Sequence, residues 1–228
     1  MADDVEITVA DDAPAAARLV AERLAQQARE GGHLVLTGGS TPRIAYELAV
    51  GLDPGWNRVE LWWTDERCVP PEHEWSNYGM AKAALLDRVS AVPIRVHRMQ
   101  GELGPEAGAE AYERELGEVE AFDLVLLGLG PDGHVASLYP NQPTLDELER
   151  RAIGAEAHLE PFVDRITLTL PMLRRTREAL FLVTGEDKAD AVARALAGEA
   201  TPATPGSLLR AGLGPTRAVL DRGAAKYL

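Results

Sequence analysis

The segment Gly128-Leu129-Gly130-Pro131-Asp132-Gly133-His134 is the most informative stretch of the chain for chemistry. Histidine titrates near neutrality, so an imidazole at position 134 can take a proton from water and return it to a leaving group. Asp132 can orient that imidazole or accept a sugar hydroxyl. The glycines also satisfy the G-x-G-x-x-G spacing of dinucleotide-binding loops, but the context opposes that use. Only six residues separate Gly133 from Pro140, and Pro143 follows, so no long crossover helix can start there. The acid-ended strand of such a motif is missing as well. A histidine in a loop is often structural; what favours His134 is its glycine-framed place after an apolar strand, where catalytic groups concentrate.

Two further loops carry polar groups at predicted strand ends. In Thr37-Gly38-Gly39-Ser40-Thr41-Pro42 the glycines let the backbone approach a ligand, and Thr41 is expected to cap a helix that Pro42 opens. Free amides at such an end favour a phosphate, although an ordinary glycine turn reads the same way. It is not a Walker loop, because no Gly-Lys-Ser/Thr closes it. In Thr64-Asp65-Glu66-Arg67-Cys68, Arg67 can pair with an anion, and Asp65 or Glu66 can take a sugar hydroxyl or orient a base. An exposed polar turn with internal ion pairs fits that run equally well. Arg165 and Lys188 are further cations near strand ends, each of which alone reads as surface charge. His33, His73, His97 and His158 have no mutual metal-ligand spacing, and His73 is the one near the second loop. The lone Cys68 reads as a packing residue and cannot form an internal disulfide, which agrees with a reducing compartment.

These loops need a scaffold, and the hydropathy pattern supplies one. Strands are predicted at 5–9, 33–37, 59–63, 94–98, 122–127, 165–170, 179–184 and 217–220. Helices fall at 13–30, from Pro42 to about 50, 76–89, 106–120 and 186–197. Strands alternating with helices imply βαβ crossovers: an α/β fold with a mostly parallel sheet flanked by helices on both faces. The 228 residues fit one domain, 1–228, and the Pro- and Gly-rich run Thr201–Gly206 reads as a surface connection. A formal charge of −13 disfavours nucleic acid, so an anionic substrate needs a local cluster of cations and amides. No apolar run approaches the roughly 18 residues of a spanning helix. The acidic start Met1-Ala2-Asp3-Asp4 lacks the features of a secretory signal, so a cytoplasmic protein without membrane partners is expected.

Taken together, LTGGSTP (36–42), TDERCVPPEHEWSNYGM (64–80), FDLVLLGLGPDGHVASLYP (122–140), RITLTLP (165–171) and VTGEDKADAV (183–192) resemble the 6-phosphogluconolactonase family, which is related to glucosamine-6-phosphate deaminases. The segments occur in family order over nearly the whole chain. The resemblance implies a single Rossmann-like α/β domain that hydrolyses 6-phospho-D-glucono-1,5-lactone in the pentose phosphate pathway, with no obligatory metal or nucleotide. By position it makes His134 the catalytic base with Asp132 beside it. It assigns the Gly38–Thr41 loop, through Gly39, Ser40 and Thr41, to the phosphate with Arg165 and Lys188. Asp65 and Arg67 are assigned to the sugar side. The expected partner is a small sugar-phosphate lactone, and the expected assembly a monomer or small homo-oligomer.

The chain departs from the family pattern at two places. Val135 stands where many relatives have threonine, and LPMLRR lacks the asparagine often found after LTLPxL. The deaminases typically continue the histidine motif as alanine-phenylalanine-asparagine-glutamate-proline, supplying a ring-opening acid. Here the run is Ala136-Ser137-Leu138-Tyr139-Pro140, without a carboxylate, which favours the lactonase. A non-catalytic sugar-phosphate-binding protein is the remaining alternative.

Overall fold

The computed structural model describes residues 5–52, 55–158 and 160–228; the acidic start Met1–Asp4 lies outside them. The chain runs β1 (Val5–Ala10), α1 (Ala13–Glu30), β2 (Gly32–Leu36), α2 (Ser40–Val50), β3 (Val59–Trp63), β4 (Asp65–Arg67), α3 (Asn77–Ala81) and β5 (Arg95–Val96). It continues through α4 (Pro105–Leu116), β6 (Leu124–Leu127), β7 (Ala152–Ala155), β8 (Arg165–Leu168), α5 (Leu170–Arg174), β9 (Ala179–Val183), α6 (Ala189–Val192) and β10 (Thr216–Asp221). Seven strands form a parallel sheet in the order β1-β10-β9-β6-β2-β3-β5.

Both faces of this sheet are buried, and the strand sequences say why. Leu34, Leu36, Leu61, Trp63, Leu124, Leu126, Leu180 and Leu182 turn to one side, where they meet Val20 and Leu24 of α1 and Tyr46 of α2. Val35, Trp62, Val125, Leu127, Phe181 and Val183 turn to the other, against Tyr112 and Leu116 of α4. With apolar side chains turned to opposite faces in succession, such strand segments are stable only between two layers. Helix α1 lays its alanine-rich stripe flat on the sheet, started by Asp12, whose Oδ1 accepts the Ala15 amide at 2.8 Å, and stopped at Gly31 with φ 91°. Among the described residues no helix is long and apolar enough to cross a membrane.

Several elements differ from the sequence expectation. RITLTL is not a strand of the parallel sheet: β8 pairs antiparallel with β4 and β7 in a separate three-stranded sheet. Periodicity marks a strand but carries no information on its partner, and the short β4 and β7 were not anticipated at all. The segment 186–197 is helical but changes pitch, from a 3₁₀ turn at Glu186–Lys188 through α6 to a π-helical turn at Ala193–Ala197. Helix α2 begins at Ser40 with Gly39 as its cap and no side-chain cap bond, so Thr41 is not the cap and Pro42 is not its first residue. The Thr41 hydroxyl is instead 2.9 Å from that of Thr184, beyond the end of β9. The run Thr201–Gly206 is not a simple surface connection either, since Thr204, Pro205 and Gly206 are buried.

The strand order reverses between β2 and β6. From β2 the chain moves outward through β3 and β5, then returns to β6 on the opposite side and proceeds to β9 and β10. Carboxyl-end loops diverge at such a switch point and leave a crevice between them. Two tyrosines hold the strand exits there. Tyr46 of α2 donates its hydroxyl to the Thr37 carbonyl (2.7 Å) and accepts the Thr37 amide (3.0 Å). Tyr112 of α4 does the same at Trp63, the end of β3 (3.2 and 2.9 Å). Burial pushes both phenols well above the usual tyrosine range, so both stay protonated and able to donate. Tyr46→Phe keeps the ring but leaves the Thr37 amide and carbonyl unpaired. It should cost about 1–3 kcal/mol in urea unfolding, and an unchanged midpoint would show that this clasp contributes nothing.

Candidate active site

The loop after β6 is a tight turn closed by its own backbone. The Gly130 amide donates to the His134 carbonyl (2.9 Å) and the Gly133 amide to the Gly130 carbonyl (3.0 Å), with Gly133 at φ 97°. At Gly130 the requirement for glycine is steric: a Cβ there would sit 2.0 Å from His134 Nδ1. The turn folds Asp132 back on His134, with Oδ1 2.6 Å from Nδ1 and 3.1 Å from the His134 amide, and the Tyr139 ring packs on the imidazole at a centroid distance of 4.8 Å. Burial raises the Asp132 carboxyl, but the His134 ring and the local amides outweigh it and hold the group below the usual carboxylate range. Nδ1 therefore faces an ionised carboxylate, which in the neutral ring favours the tautomer with its proton on Nδ1 and leaves Nε2 as the acceptor.

His134 lines a cleft of about 370 Å³ at the switch point. Gly38, Gly39, Ser40, Thr41, Asp65, Arg67, Arg165 and Lys188 line the same cleft, and Asp132 stands behind His134 outside the lining. The loop after β2 presses against α3: a Cβ on Gly38 would meet Asn77 Oδ1 at 2.0 Å, and Gly39 has φ 114°. That course presents the first amides of α2 without intrahelical partners, the arrangement that favours an anion.

The charges in the cleft have an unusual balance. Asp65 is buried, and hydroxyls occupy both its oxygens: Thr64 at 2.9 Å and Ser137 at 2.8 Å. Arg67 and Arg165 stand directly opposite each other in the β4–β8 register. Arg67 donates to the Trp75 carbonyl (2.6 Å) and Arg165 to the Pro161 carbonyl (2.9 Å); neither forms an ion pair with a carboxylate among the described residues. Arg165 is only 3% exposed, and its Nη1 is buried with no partner. Like charges facing across a strand pair are destabilising, and a buried unpaired donor is costly. An anion between the two guanidiniums would relieve both.

Other residues raised by the sequence lie elsewhere. Glu66 turns away from the cleft and accepts the amides of Arg67, Asn77 and Tyr78 and the Ser76 hydroxyl, so it organises the start of α3. Burial pushes the Cys68 thiol up to about 11, aided by nearby Asp164, which removes it as a nucleophile at neutral pH. His73 packs on Trp75, His33 accepts from Trp62, and His97 stacks on Trp62 between Glu60 and Glu115. The two departures from the family pattern fall outside the cleft: Val135 is buried in the apolar core, and Arg174 donates to the Leu208 carbonyl (2.7 Å). Sequence reasoning passed over Asn77, Ser137, Tyr139 and Glu160 as lining residues. The first three lie inside motif segments and could have been flagged there. Glu160 arrives from a loop with no such signal.

The fold and cleft define an α/β protein with an arginine- and lysine-lined cleft at a switch point beside a histidine–carboxylate pair. Residues 8–218 match the model of the family described as glucosamine-6-phosphate isomerases/6-phosphogluconolactonase. A 6-phosphogluconolactonase of Streptomyces coelicolor is 41% identical, over 94% of this chain and 89% of that protein. The solved 6-phosphogluconolactonase of Trypanosoma cruzi superposes with a TM-score of 0.88 at 25% identity, covering 100% of this chain and 98% of that one. A monomeric glucosamine-6-phosphate deaminase superposes equally well, 0.88 at 19% identity over 98% and 100% of the two chains, which shows a common fold alone. The chain belongs to the glucosamine-6-phosphate isomerase/6-phosphogluconolactonase family.

The Asp132–His134 bond has a consequence for stability. With its folded pKa below the unfolded value, Asp132 contributes stability that is fully present above the ordinary carboxylate range and is lost as pH falls through the lowered value. Asp132→Asn should therefore flatten the acid limb of the unfolding midpoint measured between about pH 2 and 6. An identical acid limb in the variant would show that the imidazole does not hold this carboxylate.

Proposed function

We propose that this chain hydrolyses 6-phospho-D-glucono-1,5-lactone to 6-phospho-D-gluconate, the ester-opening step of the oxidative pentose phosphate pathway. The observation that carries the reading is the pairing, in one cleft, of cations that lack carboxylate partners among the described residues with an imidazole whose Nδ1 is already engaged. The named relatives support the same activity. In this reading the whole chain is one catalytic domain. It works without metal or nucleotide, as a monomer or small homo-oligomer in the cytoplasm.

The phosphate binds first, to the free amides of the Gly38–Thr41 turn and to Arg165 and Lys188; Arg67, expected from the sequence on the sugar side, stands opposite Arg165 in the strand pair and in this reading faces the same anion. Fixing the remote dianion holds the lactone carbonyl near His134, and such positioning lowers a barrier by several kcal/mol. Asp65, oriented by Thr64 and Ser137, takes a sugar hydroxyl. Nε2 of His134 removes a proton from water as the oxygen attacks C1, and Asp132 stabilises the imidazolium that forms. Amides of the 128–134 loop stabilise the oxyanion. The imidazolium then protonates the departing ring oxygen, the C1–O bond breaks, and the chain resets.

One observation favours the deaminase reading. Glu160 places a carboxylate on the cleft, although from a different loop than the one that carries the ring-opening acid in the family pattern. Ammonia release from glucosamine 6-phosphate discriminates the two, and none is expected. Tight binding of the phosphorylated sugar without turnover would instead support a binding protein.

His134→Ala should reduce acid production from freshly made lactone by a factor on the order of 10² to 10⁴, after subtraction of spontaneous opening. A folded variant with wild-type turnover removes His134 from the mechanism. Arg165→Ala should weaken discrimination in favour of the phosphorylated lactone over gluconolactone. Equal loss on both substrates would mean that Arg165 serves the fold or the chemistry and not the phosphate.

A further inference from the structure

The turn that carries Asp132 lies outside both sheets, so its outward carbonyls have no ladder partners. Three consecutive ones are nevertheless held from outside. The Gly133 carbonyl accepts the Gly206 amide at 2.9 Å. The Asp132 and Pro131 carbonyls face Arg194, at 3.3 Å from Nη1 and 3.5 Å from Nη2. The same guanidinium is anchored more tightly on its other sides, with Nη1 donating to the Thr204 hydroxyl (2.8 Å) and Nε to Asp190 (2.9 Å). Thr204 is buried and packs against the turn: a Cβ on Gly133 would lie 2.8 Å from its Cγ2.

Arg194 sits in the π-helical turn that follows α6. Such turns have poorer helical geometry and occur often beside functional sites. The planar fork of arginine can reach a hydroxyl, a carboxylate and two carbonyls at once, which a lysine ammonium cannot. We propose that Arg194 is a positioning residue for the hydrolysis: by gripping the Pro131–Asp132 turn it keeps Asp132, and through it the His134 imidazole, in the orientation that activates water. This rests on His134 being the base. Arg194 is absent from the cleft lining.

The test measures kcat and KM for Arg194→Met, Arg194→Lys and Thr204→Val, and follows the His134 ring by NMR in each. Arg194→Met should lower kcat about tenfold or more, as expected for a misplaced catalytic group, with KM changed by no more than about twofold. Thr204→Val should move kcat in the same direction by less, and Arg194→Lys should recover only part of the loss. The ring resonances of His134 should shift in Arg194→Met, and in a His134→Ala background the Arg194 substitution should add no further loss. An unchanged kcat, unmoved ring resonances, or a full additional loss in the His134→Ala background each overturns the proposal. If Arg194→Met does not fold, a folded Thr204→Val with wild-type kcat and resonances overturns it equally. Should His134→Ala itself keep full turnover, the reading of the base fails, and the ring resonances alone decide whether Arg194 holds the imidazole.

Discussion

Arg67 and Arg165 confront each other across one antiparallel strand pair, in a chain of formal charge −13, without a carboxylate bonded to either among the described residues. Left to themselves two guanidiniums in that register repel, and the buried unpaired Nη1 of Arg165 adds a desolvation cost. Much of the surrounding architecture follows from tolerating that arrangement. The small sheet β4-β8-β7 exists beside the main one and brings the two arginines to the same cleft as the amides of α2. Carbonyl oxygens of Trp75 and Pro161 orient the guanidiniums without neutralising them. An anion held between the two guanidiniums would offset both costs.

The remaining problem is precision, because loops at a switch point have no ladder of their own. The structure answers with side chains that bond backbone. Tyr46 and Tyr112 clasp the exits of β2 and β3, Glu66 gathers the amides at the start of α3, and Arg194 with Gly206 grips the carbonyls of the histidine turn. The Tyr112 and Arg194 clasps come from elements distant in sequence, those of Tyr46 and Glu66 from nearby ones. The cleft is thereby coupled to both helical layers by groups that lie outside its lining.

Much of this could be read from the residues in order. The central strands β6 and β9 announce themselves by unbroken apolar runs, and α1 by its alanine-rich stripe and its Asp12 and Gly31 boundaries. The glycines around Asp132 and His134, and the cations at strand ends, are visible as types and spacings. What stayed hidden has a common cause. Three-residue β4 reads as a charged turn because it lacks an apolar face, and β8 gives no hint that its partner is β4 and not a parallel neighbour. Thr201–Gly206 has the composition of a loop, yet its Thr204–Gly206 half is buried where Gly133 and Arg194 pack on it.

Local pattern alone was enough for the α/β class, for the strands and helices that build the main sheet, and for the short list of groups able to do acid–base and anion chemistry. Those properties depend on side-chain type and on the fixed periods of helix and strand, which are set within a few residues. Tertiary structure decided that Arg67 opposes Arg165, that His134 and the Gly38–Thr41 turn share one cleft, and that Arg194 reaches back to the Asp132 turn. Contacts between residues 62 or 98 positions apart are set by how whole layers pack, and no local period encodes them.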